Sequence, residues 1–174
     1  MFFITGNKGK LEEVKDILGD VEQLEMDLPE VQGIDAREIV RAKLTEAQKH
    51  RKGDFIVEDT SLYLDCLNGL PGPLIKWFLK TVGNEGLFRI AERLGEKGAE
   101  ARTIVGLAKD GEIFFFEGSL KGKITEPRGT GFGWDPVFQP KGSGKTFGEL
   151  SKEEKNSISM RRKALEKLRD FLTA

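Results

Sequence analysis

Apolar and polar positions alternate along this chain with two periods, and those periods divide it into elements. Phe2-Phe3-Ile4 is a short apolar run that stops at Thr5-Gly6-Asn7, and Leu11, Val14, Ile17 and Leu18 follow at helical spacing. The pattern predicts a strand over 1–5, a tight turn and a helix. A second helix is predicted over 35–49, then a buried strand at Phe55-Ile56-Val57 that ends on Glu58-Asp59-Thr60. Gly69-Leu70-Pro71-Gly72-Pro73 must be a loop, with one helix starting near Leu74 and another over 87–94. Asp110-Gly111, between apolar runs over 103–109 and 112–117, is a hairpin signal. The segment 129–148, rich in Gly, Pro and aromatics, reads as an irregular binding loop. A final helix is predicted over 156–172, with Ala164, Leu165, Leu168, Phe171 and Leu172 on one face. Strands interspersed with helices make one mixed α/β domain.

The same helical geometry singles out cations. Over 35–49 the apolar arc of Ala36, Ile39, Val40, Leu44 and Ala47 also contains Lys43, and Arg161 lies near the middle of the arc of the last helix. Both are expected to point inward. The competing readings are a snorkelling Lys43 and a structural ion pair at Arg161. Lys76 lies opposite the arc of Leu74, Ile75, Phe78, Leu79 and Val82, and the pattern leaves it in solvent.

Composition narrows the chemistry. The 174 residues carry 28 basic and 29 acidic side chains, a net charge of −1, so no global field holds a nucleic-acid backbone or an anionic membrane, and neither partner is expected. Cys66 is the single cysteine and His50 the single histidine, which removes a disulfide framework and leaves oxygen ligands and hard cations. The apolar start is too short for a signal sequence or a membrane span, and a cytoplasmic location is expected.

Four segments carry candidate chemistry. Thr5-Gly6-Asn7-Lys8-Gly9-Lys10, between a strand and a helix, sets free backbone N–H groups beside lysines and a hydroxyl, which is either a polyphosphate cradle or an ordinary capped turn. Glu30 and the adjacent Glu58 and Asp59 can gather around Mg²⁺ (or Mn²⁺), and one of them can orient a water; acidic residues are also common at the ends of elements. Phe132-Gly133-Trp134-Asp135 offers rings and a carboxylate to a base, or tucks its aromatics into the core. Gly142-Ser143-Gly144-Lys145-Thr146 ends like a P-loop, but Gln139 occupies the place of the required first glycine and no amphipathic helix follows, so that motif is rejected.

Together these segments resemble the inosine triphosphate pyrophosphatase family. The matching pieces occur in order over nearly the whole chain: Thr5 to Lys10, Leu28-Pro29-Glu30, Val57-Glu58-Asp59-Thr60, Gly69 to Pro73 with Lys76-Trp77-Phe78, Phe132 to Pro136, and Glu154-Lys155-Asn156. The resemblance implies an elongated, mixed, twisted sheet flanked by helices, in two lobes around a central nucleotide cleft, and a homodimer. It implies a Mg²⁺-assisted hydrolase that converts ITP, dITP and XTP to the monophosphate and pyrophosphate. Thr5, Gly6, Asn7, Lys8, Lys10 and Thr60 would then hold the triphosphate, with Lys43 and Lys76 also reaching the nucleotide. Glu30, Asp59 and Glu58 would form the metal site, with Asp59 as base. Phe132, Gly133, Trp134 and Asp135 would line the base and sugar pocket, which Lys155, Met160 and Arg161 close. The family commonly has Ser-His-Arg where this chain has Ser159-Met160-Arg161, and Met160 cannot donate a hydrogen bond. The alternatives are a Maf-like pyrophosphatase of modified pyrimidine nucleotides and a nucleotide-binding module without turnover.

Overall fold

A computed structural model describes residues 1–174. The chain runs β1 (Phe2–Ile4), α1 (Lys8–Leu18), β2 (Glu22–Leu24), α2 (Ala36–His50), β3 (Phe55–Leu64), β4 (Pro71–Gly72), α3 (Ile75–Thr81), α4 (Gly83–Leu94), β5 (Gly98–Lys109), β6 (Glu112–Ile124), β7 (Phe138–Pro140), α5 (Lys152–Ile158) and α6 (Met160–Thr173). The strands form one seven-stranded sheet in the order β2-β1-β3-β5-β6-β7, with β4 paired to β3. β1 is parallel to β2 and β3, and every other pairing is antiparallel.

Local chemistry explains the element ends. Asn7 and Asp35 cap α1 and α2 with side-chain oxygens that accept from Lys10 N and Arg37 N. Asp110 and Gly111 both take positive φ, 51° and 84°, as the β5–β6 hairpin turn requires. The predicted last helix is two helices: Ser151 starts α5 with a capping box, and Ser159, extended at ψ 149°, ends it and caps α6. The Ser159 hydroxyl, which accepts from Arg162 N in the first turn of α6, stabilises the break, and the apolar arc of 160–172 is α6 alone.

Side chains alternate across the strands, so the two faces of the sheet have separate cores. On one face Ile56, Val105 and Leu107 pack with Val14 of α1 and Ala164, Leu165 and Leu168 of α6. On the other, Phe55, Val57, Ile104 and Ala108 pack under Ala36, Val40, Leu44 and Ala47 of α2. Close approach of α6 requires Gly118, where a Cβ would clash with the Met160 carbonyl oxygen. A third core lies toward the far ends of β3, β5 and β6, where Leu62, Leu64 and Ile124 meet Ile75, Leu87, Trp134, Val137, Phe138 and Phe147. The three long strands thus run through two halves of a mixed α/β fold. Segment 129–148 is no mere surface loop: it contributes β7 and four of these core residues, because aromatics in an irregular segment can still bury their rings.

Candidate functional site

The longer course of β3 decides the geometry of the acidic pair. Sequence pattern ends the strand at Val57, but it continues to Leu64, paired with β5 throughout, so Glu58 and Asp59 point to opposite faces. Glu58, 8% exposed, lies on the α1–α6 face. Its Oε2 accepts from Arg161 Nε at 2.8 Å, and Lys10 Nζ lies 2.8 Å from Oε1, outside the alignment of a directed hydrogen bond. Arg161 Nη1 also donates to Glu13 Oε2 at 2.9 Å, while Nη2 has no protein acceptor. Burial pushes the Glu58 carboxyl up, but Arg161 and Lys10 outweigh it and hold the group down to about 2. Burial likewise opposes charge on Arg161, and Glu58 with Glu13 more than offsets it. The inward orientation expected of Arg161 holds, in the form of a buried ion network.

Asp59 occupies the α2 face. Its Oδ2 accepts from Ser61 Oγ at 2.9 Å, and Oδ1 lies 3.9 Å from Lys43 Nζ, beyond hydrogen-bond reach. Burial raises the Asp59 carboxyl above its ordinary range, against the opposing influence of Lys43 and Ser61. Lys43 is half-buried beside the apolar arc of α2, as its position on the helix predicts. Glu30, on the segment before α2, takes Lys76 Nζ of α3 on both oxygens, at 2.6 and 2.9 Å. That contact pulls the Glu30 carboxyl below its ordinary range, with a smaller contribution from Lys43, so Lys43 acts on both carboxylates. Lys76 is exposed, as its place on α3 predicts, and the polar face that carries it turns toward Glu30. Trp77 Nε1 adds a second link by donating to Gln32 Oε1 at 2.5 Å.

Around the phosphate turn, Thr5 Oγ1 accepts from Asn7 N and Asn7 Oδ1 accepts from Lys10 N, while Gly6 and Lys8 are exposed. Thr60 Oγ1 pairs with Thr103 Oγ1 at 2.9 Å, across to β5.

The base-pocket segment divides. Phe132 is 77% exposed and presents its ring to solvent, whereas Trp134, at 7%, stacks on Phe147 and meets Phe138 edge-on. The indole is a core side chain, and its flat face is not offered to a ligand. Asp135 Oδ2 accepts from Phe132 N and from Lys155 Nζ, the latter at 2.6 Å, and Gly133 O accepts from Asn84 Nδ2. Met160 is 4% exposed and its side chain packs within the third core.

No three His, Cys, Asp or Glu side chains come together as metal ligands. The expected trio of Glu30, Glu58 and Asp59 is therefore not assembled, because strand alternation removes Glu58 and two cations hold it. Asp59 and Glu30 remain. Two carboxylates suit Mg²⁺, which takes the rest of its oxygen shell from water and substrate phosphates. A groove of about 590 Å³ lined by Asp65, Glu100, Lys121 and Lys141 contains none of these residues.

The sequence pattern of the Ham1 family matches residues 1–171. The chain belongs to the Ham1 family. It is 46% identical over 178 residues to the inosine triphosphate pyrophosphatase of Schizosaccharomyces pombe, covering 99% of this chain and 94% of that one. Its fold superposes on a Ham1 protein from Coxiella burnetii with a TM-score of 0.89 at 26% identity, covering 99% of this chain and 97% of that one. A nucleoside-triphosphatase, or dITP/XTP pyrophosphatase, from Mycobacterium abscessus superposes with a TM-score of 0.75 at 29% identity over 99% and 98% of the two chains. Against this family frame, the residues that the motifs do not point to are Ser61, Glu13, Gln32 and Asn84. None had a signal in the sequence, because the period-two spacing of Ser61 from Asp59 counts only once β3 is known to continue past Val57.

Proposed function

We propose that this chain hydrolyses non-canonical purine nucleoside triphosphates, of the ITP, dITP and XTP type, to the monophosphate and pyrophosphate. The observation that carries the reading is the half-buried Asp59 beside Lys43, which also acts on a second carboxylate, Glu30, that is bridged to Lys76. Similarity to the inosine triphosphate pyrophosphatase of Schizosaccharomyces pombe supports the same substrate class.

Asp59 and Glu30 would hold Mg²⁺, which when bound supplies charge neutralisation on the phosphates and a polarised α-phosphoryl group. Asp59 orients the attacking water and accepts its proton. The water oxygen bonds to the α-phosphorus, the bond to the α–β bridging oxygen breaks, and pyrophosphate leaves with that electron pair. Lys10, Lys43 and Lys76 neutralise the chain of phosphates. Lys76 reaches them by exchanging Glu30 for a phosphate oxygen. Phe132 stacks on the base, and Arg161 Nη2, held in place by two carboxylates, donates to a 6-oxo group. Adenine presents a donor there, and each unpaired buried group costs about 1–3 kcal/mol.

Product analysis with ITP and Mg²⁺ tests the assignment: IMP and pyrophosphate are expected. IDP and phosphate would place the cut at the wrong bond, and faster turnover of methylated pyrimidine nucleotides would overturn the substrate class. No turnover of any triphosphate would make the chain a binding module. We further propose a cytoplasmic homodimer, which sedimentation of the purified chain tests. No helix is long and apolar enough to cross a membrane.

A further inference from the structure

We infer that Ser61 is the positioning residue for Asp59, fixing which carboxylate oxygen faces the cleft. The inference rests on the pyrophosphatase reading. Asp59 and Ser61 are two apart on β3 and so share a face. Their backbones are fixed by the ladder to β5, where Asp59 is paired with Ile104 and Ser61 with Arg102. What the ladder leaves undetermined is rotation of the Asp59 side chain. Ser61, 1% exposed, donates its hydroxyl proton to Asp59 Oδ2 at 2.9 Å. Oδ1 then has only the loose contact with Lys43 at 3.9 Å and stays open to a cation or a water.

Neither neighbour can substitute for this hydroxyl. Thr60 points to the other face and pairs with Thr103. Lys43 pulls on Oδ1 from a distance at which no directed bond forms. Without Ser61 the carboxylate samples several rotamers, of which a fraction presents an oxygen to the cleft. Partners that orient a ligating carboxylate change metal affinity or activity by roughly 10–100-fold when removed.

The test compares wild type, Ser61→Ala and Ser61→Cys. Cysteine keeps the volume of the site but donates weakly. In Ser61→Ala, kcat for ITP is expected to fall roughly tenfold, with KM within about twofold because the phosphate and base contacts are untouched. Calorimetric titration of the nucleotide-free protein with Mn²⁺ is expected to show a matching loss of affinity, and thermal unfolding should show little change. Ser61→Cys is expected to follow Ser61→Ala. Wild-type kcat and Mn²⁺ affinity in Ser61→Ala would overturn the inference, and so would full recovery in Ser61→Cys, which would make packing the cause. If the wild type releases no pyrophosphate from ITP, the activity assignment fails, while the Mn²⁺ titration still decides the role of Ser61.

Discussion

Arg161→Ala removes the central cation of a buried network, and its consequence can be worked from the contacts. Arg161 is 13% exposed at its side chain and Glu58 3%, so solvent screens their pair weakly. The substitution leaves Glu58 with Lys10 as its remaining cation and Glu13 without its partner. Removing one partner of such a pair costs about 3–5 kcal/mol. At about 2–4 °C per kcal/mol for a domain of this size, the midpoint should fall by roughly 6–20 °C. Urea and thermal unfolding, followed by fluorescence of the buried Trp134, measure it directly. Glu58→Gln combined with Arg161→Ala should recover at least about 1 kcal/mol relative to the sum of the single losses, since no charge is then stranded. The pH dependence follows from the sign of the Glu58 shift. Its folded carboxyl titrates at about 2, below the ordinary 4.5. It therefore contributes stability that is complete above the ordinary value and is lost as pH falls toward 2. In Arg161→Ala burial prevails, and acid unfolding should begin at a higher pH than in the wild type. A loss below about 1 kcal/mol, with an unshifted acid limb, would refute the reasoning and return Arg161 to a role confined to the ligand.

Asp59→Asn keeps the shape of the side chain and removes its charge, so turnover of ITP should nearly vanish while the circular dichroism spectrum is preserved; rates near wild type would exclude Asp59 from the chemistry. Lys76→Ala breaks a pair whose side chains are 51% and 63% exposed, so stability should change by less than about 1 kcal/mol. Its KM for ITP should nevertheless rise severalfold, and an unchanged KM would remove Lys76 from substrate binding. Gly118→Ala sets a Cβ against the Met160 backbone, which cannot rotate away, so this single methyl should lower the melting midpoint by several degrees, and a neutral result would show that α6 rides further from the sheet.

The fold was legible where one period ran uninterrupted, and the site where a charge broke that period. Lys43 and Arg161 were visible as cations within apolar arcs, and both are drawn inward by carboxylates. Lys76 was visible as exposed, though its partner Glu30, forty-six residues away, was not. Sequence alone groups Glu58 and Asp59 as one acidic cluster because the apolar run stops at Val57. Polar residues continue the strand to Leu64, and only the β5 ladder reveals it. Trp134 and Met160 are hard to place because the third core they join draws its residues from several elements. The break at Ser159 was hidden by good helix formers on both sides, since capping by a serine is settled by its ψ angle, not by its identity.

That break has a mechanical meaning. α6 is bound to the sheet through Gly118 and four buried side chains, whereas α5 buries none fully and is held by partly buried Ile158 against the third core and by ion pairs from Lys152 to Glu12, Lys155 to Asp135 and Glu154 to Lys145. Ser159 is thus a joint between an anchored rod and a loosely tethered one. The amides of α5 should therefore exchange with deuterium well before those of α6.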